Sequence, residues 1–312
     1  MGFVWVTKIS KKKARRPKVT ATDRRLEALG KRMGSAVQLN LVNGLRTFKR
    51  RIPKDVLIDA FKSGDYMAAL RLVDWKELPT DLAGVFEAIG LTVDEAGQIQ
   101  IKTLPPNVNK NLRFDTANPR IKSYLAKRTG ALITAIEDDA RANVREIITS
   151  SFRQAQTPRQ LAERVKASVG ILPAHERALF NYRTGLEADG RPAKEVDRLA
   201  DAYEERLLDY RAMNIARSET QQAMHTGQLS VWKEGAAQGL IDLETAKKVW
   251  ATDGNPCETC EPMDGEMVGL DEDWIVEYPN GETKSVQIPS ESHPSCMCSM
   301  TLHFGEQEET PE

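Results

Sequence analysis

Apolar residues recur at spacings of three and four along several long stretches of the chain, and strand-like runs appear only near its end. Leu26, Leu29, Met33, Val37, Leu41 and Leu45 form the first stripe and predict a helix beginning at a Thr22 cap. Shorter helices are expected over 55–72 and, capped by Thr80, over 81–90. The segment 103–111, with Pro105, Pro106 and three asparagines, reads as a linker and places a domain boundary nearby. Beyond it, Ile121, Leu125, Leu132, Ile136, Ala140, Val144 and Ile147 make one stripe over some seven turns. Thr157-Pro158 supplies an N-cap with proline at the first helical position. Another helix is expected after Pro173, and a long one after Gly190 with Val196, Leu199, Ala200, Tyr203, Leu207 and Tyr210 on one face. These stripes are core faces.

The pattern changes at Trp274-Ile-Val-Glu-Tyr278 and Thr283-Lys-Ser-Val-Gln-Ile288, which flank Pro279-Asn280-Gly281-Glu282. Asn-Gly tolerates positive φ, so the stretch reads as a hairpin. A two-stranded hairpin alone is marginal in water and needs a staple. The predicted fold is mainly α, with one or more multi-helix domains and a small C-terminal α+β hairpin module stapled by zinc. The expected segments are a basic flexible arm (1–20), an N-terminal helical region (21–102), a helical core (112–250), a Cys/His hairpin module (251–304) and an acidic tail (305–312).

Composition is ordinary for a soluble globular protein of two or three domains: 40% hydrophobic and 29% charged over 312 residues. No apolar run reaches membrane-spanning length. Apolar residues precede the basic cluster at the start, the reverse of a signal peptide, so a cytoplasmic site of synthesis is expected. Net charge is −1, yet residues 1–54 carry +14 and residues 253–312 carry −14. An acidic module repels phosphate, which argues against a nucleic-acid-binding zinc finger there. Lys11, Lys12, Lys13, Arg15 and Arg16 are the nucleic-acid candidates, as a polycation that can release counterions from phosphates. The same residues equally suit a solvated tail or a grip on an acidic partner, since no aromatics are interleaved to stack on bases.

All four cysteines fall in the last fifth of the chain, as Cys257-Glu-Thr-Cys260 and His293-Pro-Ser-Cys296-Met-Cys298. Two close pairs with a histidine beside the second provide the soft donors of a tetrahedral zinc site. A thioredoxin-type pair is disfavoured because Cys257 follows Gly254-Asn255-Pro256, which is turn chemistry and not the start of a helix. Structural disulfides are the remaining reading, and a reducing cytosol opposes them. The default ligands are Cys257, Cys260, Cys296 and Cys298; His293 either replaces one of them or is a surface histidine fixed by Pro294. Four protein ligands close such a site, which then stabilises a fold and hydrolyses nothing.

Tyr210-Arg-Ala-Met-Asn-Ile-Ala-Arg-Ser-Glu-Thr220, then Ala223, Gly227 and Gly239, then Lys248-Val-Trp250 and the CxxC…HPxCxC tail, follow one another in an order and spacing that resembles the phage Mu F-like head morphogenesis family. Phe114-Asp115 with Asn118-Pro119, and Ala178-Leu-Phe-Asn-Tyr182 with Leu186, extend the resemblance over roughly residues 112 to 303. Ser218 stands where that family usually has threonine, and Met297 where arginine commonly separates the last cysteines. The resemblance implies a minor virion or prohead protein, made in the host cytoplasm, with the portal and other capsid proteins as partners; the basic arm alone points to phage DNA as a further partner, and to a DNA-binding protein packaged or ejected with the genome as another alternative. Arg217, Ser218, Glu219, Thr220 and Trp250 are then the motif residues of an interface.

On a helix Arg217 and Thr220 share a face while Glu219 points elsewhere, which suits a buried arginine ion pair or an interface contact. Arg, Ser/Thr and Glu are also the residue types of ADP-ribosyl transfer, the alternative enzymatic reading; their usual strand context is missing. No catalytic residue is assigned. HExxH, Walker, GxSxG and GxGxxG patterns are absent, and His175, His225 and His303 are isolated in sequence.

Overall fold

The computed structural model of the chain describes residues 21–115, 118–151, 156–252 and 254–304. The basic arm with its five nucleic-acid candidates and the acidic tail lie outside the described residues. Helix α1 (Ala21–Arg51) buries Leu29, Met33, Val37, Leu41 and Leu45, the stripe read from the sequence, and ends on Lys49, Arg50 and Arg51, whose charges suit a helix C-terminus. It already includes Ala21, so Thr22 lies inside the helix and does not cap it.

The stretch expected as one helix over 55–72 is two, α2 (Lys54–Lys62) and α3 (Ala68–Leu72). Gly64 breaks it, with φ of 81° that an L side chain rarely adopts. Thr80 is no cap either, for it sits inside the short α4 (Leu78–Asp81). Helix α5 (Ala83–Ile101) then runs well past residue 90, because Thr92, Val93, Ala96, Gly97 and Gln100 continue its buried face.

The segment 103–111 is packed. It forms α6 (Pro106–Asn109), and Leu104, Val108 and Leu112, four residues apart, are buried beside Trp232 and Trp250. Helix α7 (Pro119–Ser151) buries Ile121, Leu132, Ile136, Ala140, Val144 and Ile147, as its stripe predicts. Helix α8 (Pro158–Ser168) carries a complete capping box between Thr157 and Gln160. Helix α9 (Pro173–Ala188) leads to α10 (Ala193–Ala237), a helix of 45 residues, about 68 Å long.

Five short strands follow among the described residues: β1 (Lys247–Ala251), β2 (Met267–Gly269), β3 (Trp274–Glu277), β4 (Thr283–Val286) and β5 (Ser299–His303). One antiparallel sheet has the order β2-β1-β5, and β3 with β4 makes the expected hairpin, registering Trp274 with Val286. Its turn closes with Gly281 at φ 82°, donating to the Tyr278 carbonyl at 2.8 Å.

Two cores result. The first runs from Leu29 to Met224 through α1, α5, α7, α8 and the first part of α10, so helices on both sides of residues 103–111 share it. The second joins Leu229, Val231 and Trp232 of α10 to the strands and three of the cysteines. Helix α10 is common to both. Where α5 crosses it, Gly227 has no room for a side chain: a Cβ there would stand 2.3 Å from the Val93 carbonyl oxygen. Among the described residues no helix is long and apolar enough to cross a membrane.

Candidate metal centre

The cysteines converge because two turns face each other. The first follows Pro256, where the amides of Cys260 and Glu261 both donate to the Cys257 carbonyl, at 3.0 and 2.9 Å. The second follows Pro294, where Cys296 N–H donates to the His293 carbonyl at 3.3 Å and Ser295 takes φ of 58°, the one positive φ of a non-glycine among the described residues. Strands β1 and β5 bring these turns together, pairing Ala251 with Ser299.

Two overlapping groups of donor atoms are formed. The sulfurs of Cys260, Cys296 and Cys298 lie within 4.8 Å of one another, and so do the donor atoms of Cys257, Cys260 and His293. Cys260 Sγ is 3.8 Å from Cys296 Sγ and 3.1 Å from His293 Nε2, and Cys257 Sγ is 3.3 Å from that nitrogen. Tetrahedral zinc, with bonds of about 2.1 to 2.3 Å, separates its ligands by roughly 3.5 to 3.8 Å. Each of these two triads, which share Cys260, could hold a metal ion, and no disulfide joins the four thiols. Three of them are buried and Cys257 is exposed. Hydrogen bonds from Cys260 and Cys298 pull the Cys296 thiol well down, and the same contact with Cys296 pushes Cys260 up. A cation among them removes that mutual exclusion.

His293 belongs to the cluster and is not a free surface histidine. Its Nδ1 is 3.0 Å from the Pro294 carbonyl oxygen, which only accepts; Nδ1 carries the proton and Nε2 presents its lone pair to the sulfurs.

Helix α10 supports this centre from behind. Ser218 Oγ accepts from Ser295 N–H at 2.9 Å, Gln221 Nε2 donates to the Cys298 carbonyl at 3.1 Å, and His225 Nδ1 is 2.9 Å from Ser290 Oγ. His225 is fully buried, and burial pushes it down to about 4, so it is neutral at pH 7. Trp250 and Trp274 meet edge to face at 5.3 Å beside the cysteines.

The motif residues separate in an unexpected way. Arg217 is exposed, whereas Glu219 and Thr220 are both buried. The ion pair at this point joins Glu219 to Arg128 of α7, whose Nε donates at 2.7 Å, and does not involve Arg217. His225 is isolated in sequence, and Arg128 and Lys248 show no site role there, because each finds its partner 65, 91 or 39 residues away. Lys248 is buried with Nζ 2.8 Å from the Gln287 carbonyl oxygen and 4.5 Å from the Trp274 ring centre. An internal lysine in a hydrophobic strand carries no signal of its own. His175 packs its edge against Tyr210, and His303 is exposed on β5.

Comparison of the chain with protein-family models, with curated proteins and with solved structures returned no match.

Proposed function

We propose that this chain is a minor head morphogenesis protein of a phage, working by surface contacts at the portal or inside the prohead, with one structural zinc stapling its C-terminal module. The observation that carries the reading is the docking of residues 218–225 against the cysteine turns. The two stretches on which the Mu F-like resemblance chiefly rests, the Tyr210–Thr220 run and the CxxC…HPxCxC tail, are bonded to each other through Ser218–Ser295, and the next residue on the helix, Gln221, bonds the Cys298 carbonyl. A motif whose parts support one another across 77 residues is a folding unit, and its order and spacing are then constrained together. Zinc is favoured as the metal by the softness of thiolate and imidazole donors gathered in two triads that share Cys260. Bound there, it would supply folding free energy.

The test is mass-spectrometric quantification of the chain in purified proheads and in DNA-filled particles. A fixed low copy number in either supports a head component, and retention or loss on filling distinguishes a virion part from an assembly factor. Absence from both particles overturns the reading.

A further inference from the structure

We propose that the outer face of the β3–β4 hairpin is the docking site of this chain's own N-terminal segment, residues 1–20. The hairpin turns Trp274, Val276 and Val286 into the second core. Its other side presents Ile275, Glu277, Thr283 and Ser285, all exposed, with Ile275 registered opposite Ser285 and Glu277 opposite Thr283. At 62% exposure Ile275 is the barest large apolar side chain among the described residues. Acids flank it on the same face: Asp273, which accepts from Ser285 Oγ, lies two positions before it and Glu277 two positions after, and the exposed Asp271 and Glu272 lead into the strand. A bare sheet face with an apolar centre and an acidic rim fits an occupant that is both apolar and cationic.

Residues 1–20 have that composition. Phe3-Val4-Trp5-Val6 is followed by seven Lys/Arg between Lys8 and Lys18, with no Asp or Glu, whereas residues 254–304 carry ten Asp/Glu and Lys284 as the one Lys/Arg. Helix α1 delivers the segment to the correct end of the bundle. It runs antiparallel to α5, with Arg32 bonded to Glu95 and Asn40 Nδ2 donating to the Gly84 carbonyl at 3.1 Å, and antiparallel to α10, with Gly30 against Met224 and Gly34 near Thr220. Its first residue, Ala21, is thereby level with the end of α5 and with the part of α10 where Leu229 and Trp232 enter the second core. Twenty residues reach up to roughly 65 Å, while a module of this size has a radius of gyration of about 10 Å, so the hairpin is within range. Tethering holds the segment at a local concentration of about a millimolar, and a contact too weak to bring two molecules together is then populated within one.

The experiment is carbodiimide coupling of the reduced full chain, which joins only amines and carboxylates in contact, followed by peptide mapping. An equal mixture of isotopically labelled and unlabelled chain tells links within one chain from links between copies. At about 0.05 M salt the expected products join Lys8, Lys11, Lys12 or Lys13 to Asp271, Glu272, Asp273 or Glu277 within one chain, and they fall at least tenfold at about 1 M salt. The double substitution Ile275→Ser, Glu277→Lys changes two exposed positions, so the urea midpoint is expected to stay put while the remaining links fall at least tenfold. Links mainly to carboxylates elsewhere in the chain, links mainly between copies, no links at low salt, or links that survive the double substitution in a chain of unchanged midpoint each overturn the proposal.

Discussion

The amide of Ser295 donates to the hydroxyl of Ser218 at 2.9 Å, so the strained turn that carries Cys296 is fastened to a helix residue 77 positions earlier. Ser218→Ala leaves that donor without its partner in a half-buried setting. Stability is expected to fall by about 1 to 2 kcal/mol in urea unfolding, with faster hydrogen exchange at the Ser295 amide. Ser218→Thr keeps the hydroxyl and is expected to stay near wild type.

Arg128 and Arg217 offer a contrast. Arg128→Ala strands the buried Glu219 carboxylate and is expected to destabilise the chain by about 3 kcal/mol. Arg217→Ala removes an exposed side chain and is expected to change stability by no more than about 0.5 kcal/mol. Equal effects in thermal unfolding would refute the pairing.

Close helix crossing makes glycines unequal. Gly227→Ala drives a methyl group into the Val93 carbonyl, a backbone atom that cannot swing aside, and is expected to lose about 1 to 3 kcal/mol. Gly130→Ala on α7 meets nothing within 4 Å and is expected to gain about 0.5 to 1 kcal/mol, checked by the same denaturation curves.

Two buried lysines set a pH dependence. Burial pushes Lys248, and Lys49 despite its ion pair with Glu204, down from 10.5 to about 8, so between these values the unfolded chain binds more protons than the folded one. Stability is therefore expected to rise as pH increases from 8 to 10.5, by about 1 to 3 kcal/mol for each lysine. Lys248→Met is expected to flatten its share of that slope, measured as unfolding midpoints at pH 8 and pH 10. The full ammonium penalty is present below pH 8 and absent above 10.5.

Metal removal gives the last expectation. Purified under reducing conditions, the chain should carry about one zinc, lost in a Cys257→Ser, Cys260→Ser double variant, and chelation should lower the melting temperature of the chain. Full metal content in that variant would contradict the placement of Cys260 in both donor groups.

Periodicity made the long helices and the hairpin legible, because Ile121 to Ile147 and Trp274 to Ile288 each bury one continuous face. Punctuation misled. Pro105-Pro106 announces a linker, but Leu104, Val108 and Leu112 fill a space between α10 and the sheet that only the tertiary structure creates. Thr22 and Thr80 have the chemistry of caps while sitting inside helices, since a cap also requires the chain to turn there. The donor cluster was readable from spacing alone. The unequal burial within it was not, for Cys257 is exposed while its fellows are buried, and the supporting contacts of Ser218, Gln221 and His225 span from 65 to 77 residues.

Helix α10 is built into both cores, with Ala212, Ala216 and Met224 in one and Leu229 and Trp232 in the other. Melting either body strips packing from a segment the other one needs, and 45 residues of uninterrupted backbone hydrogen bonding offer no hinge at which the damage could stop. The bundle and the cysteine module are thus bound to a common fate on heating: they lose structure in one transition, and neither serves as a free bead strung beside its neighbour.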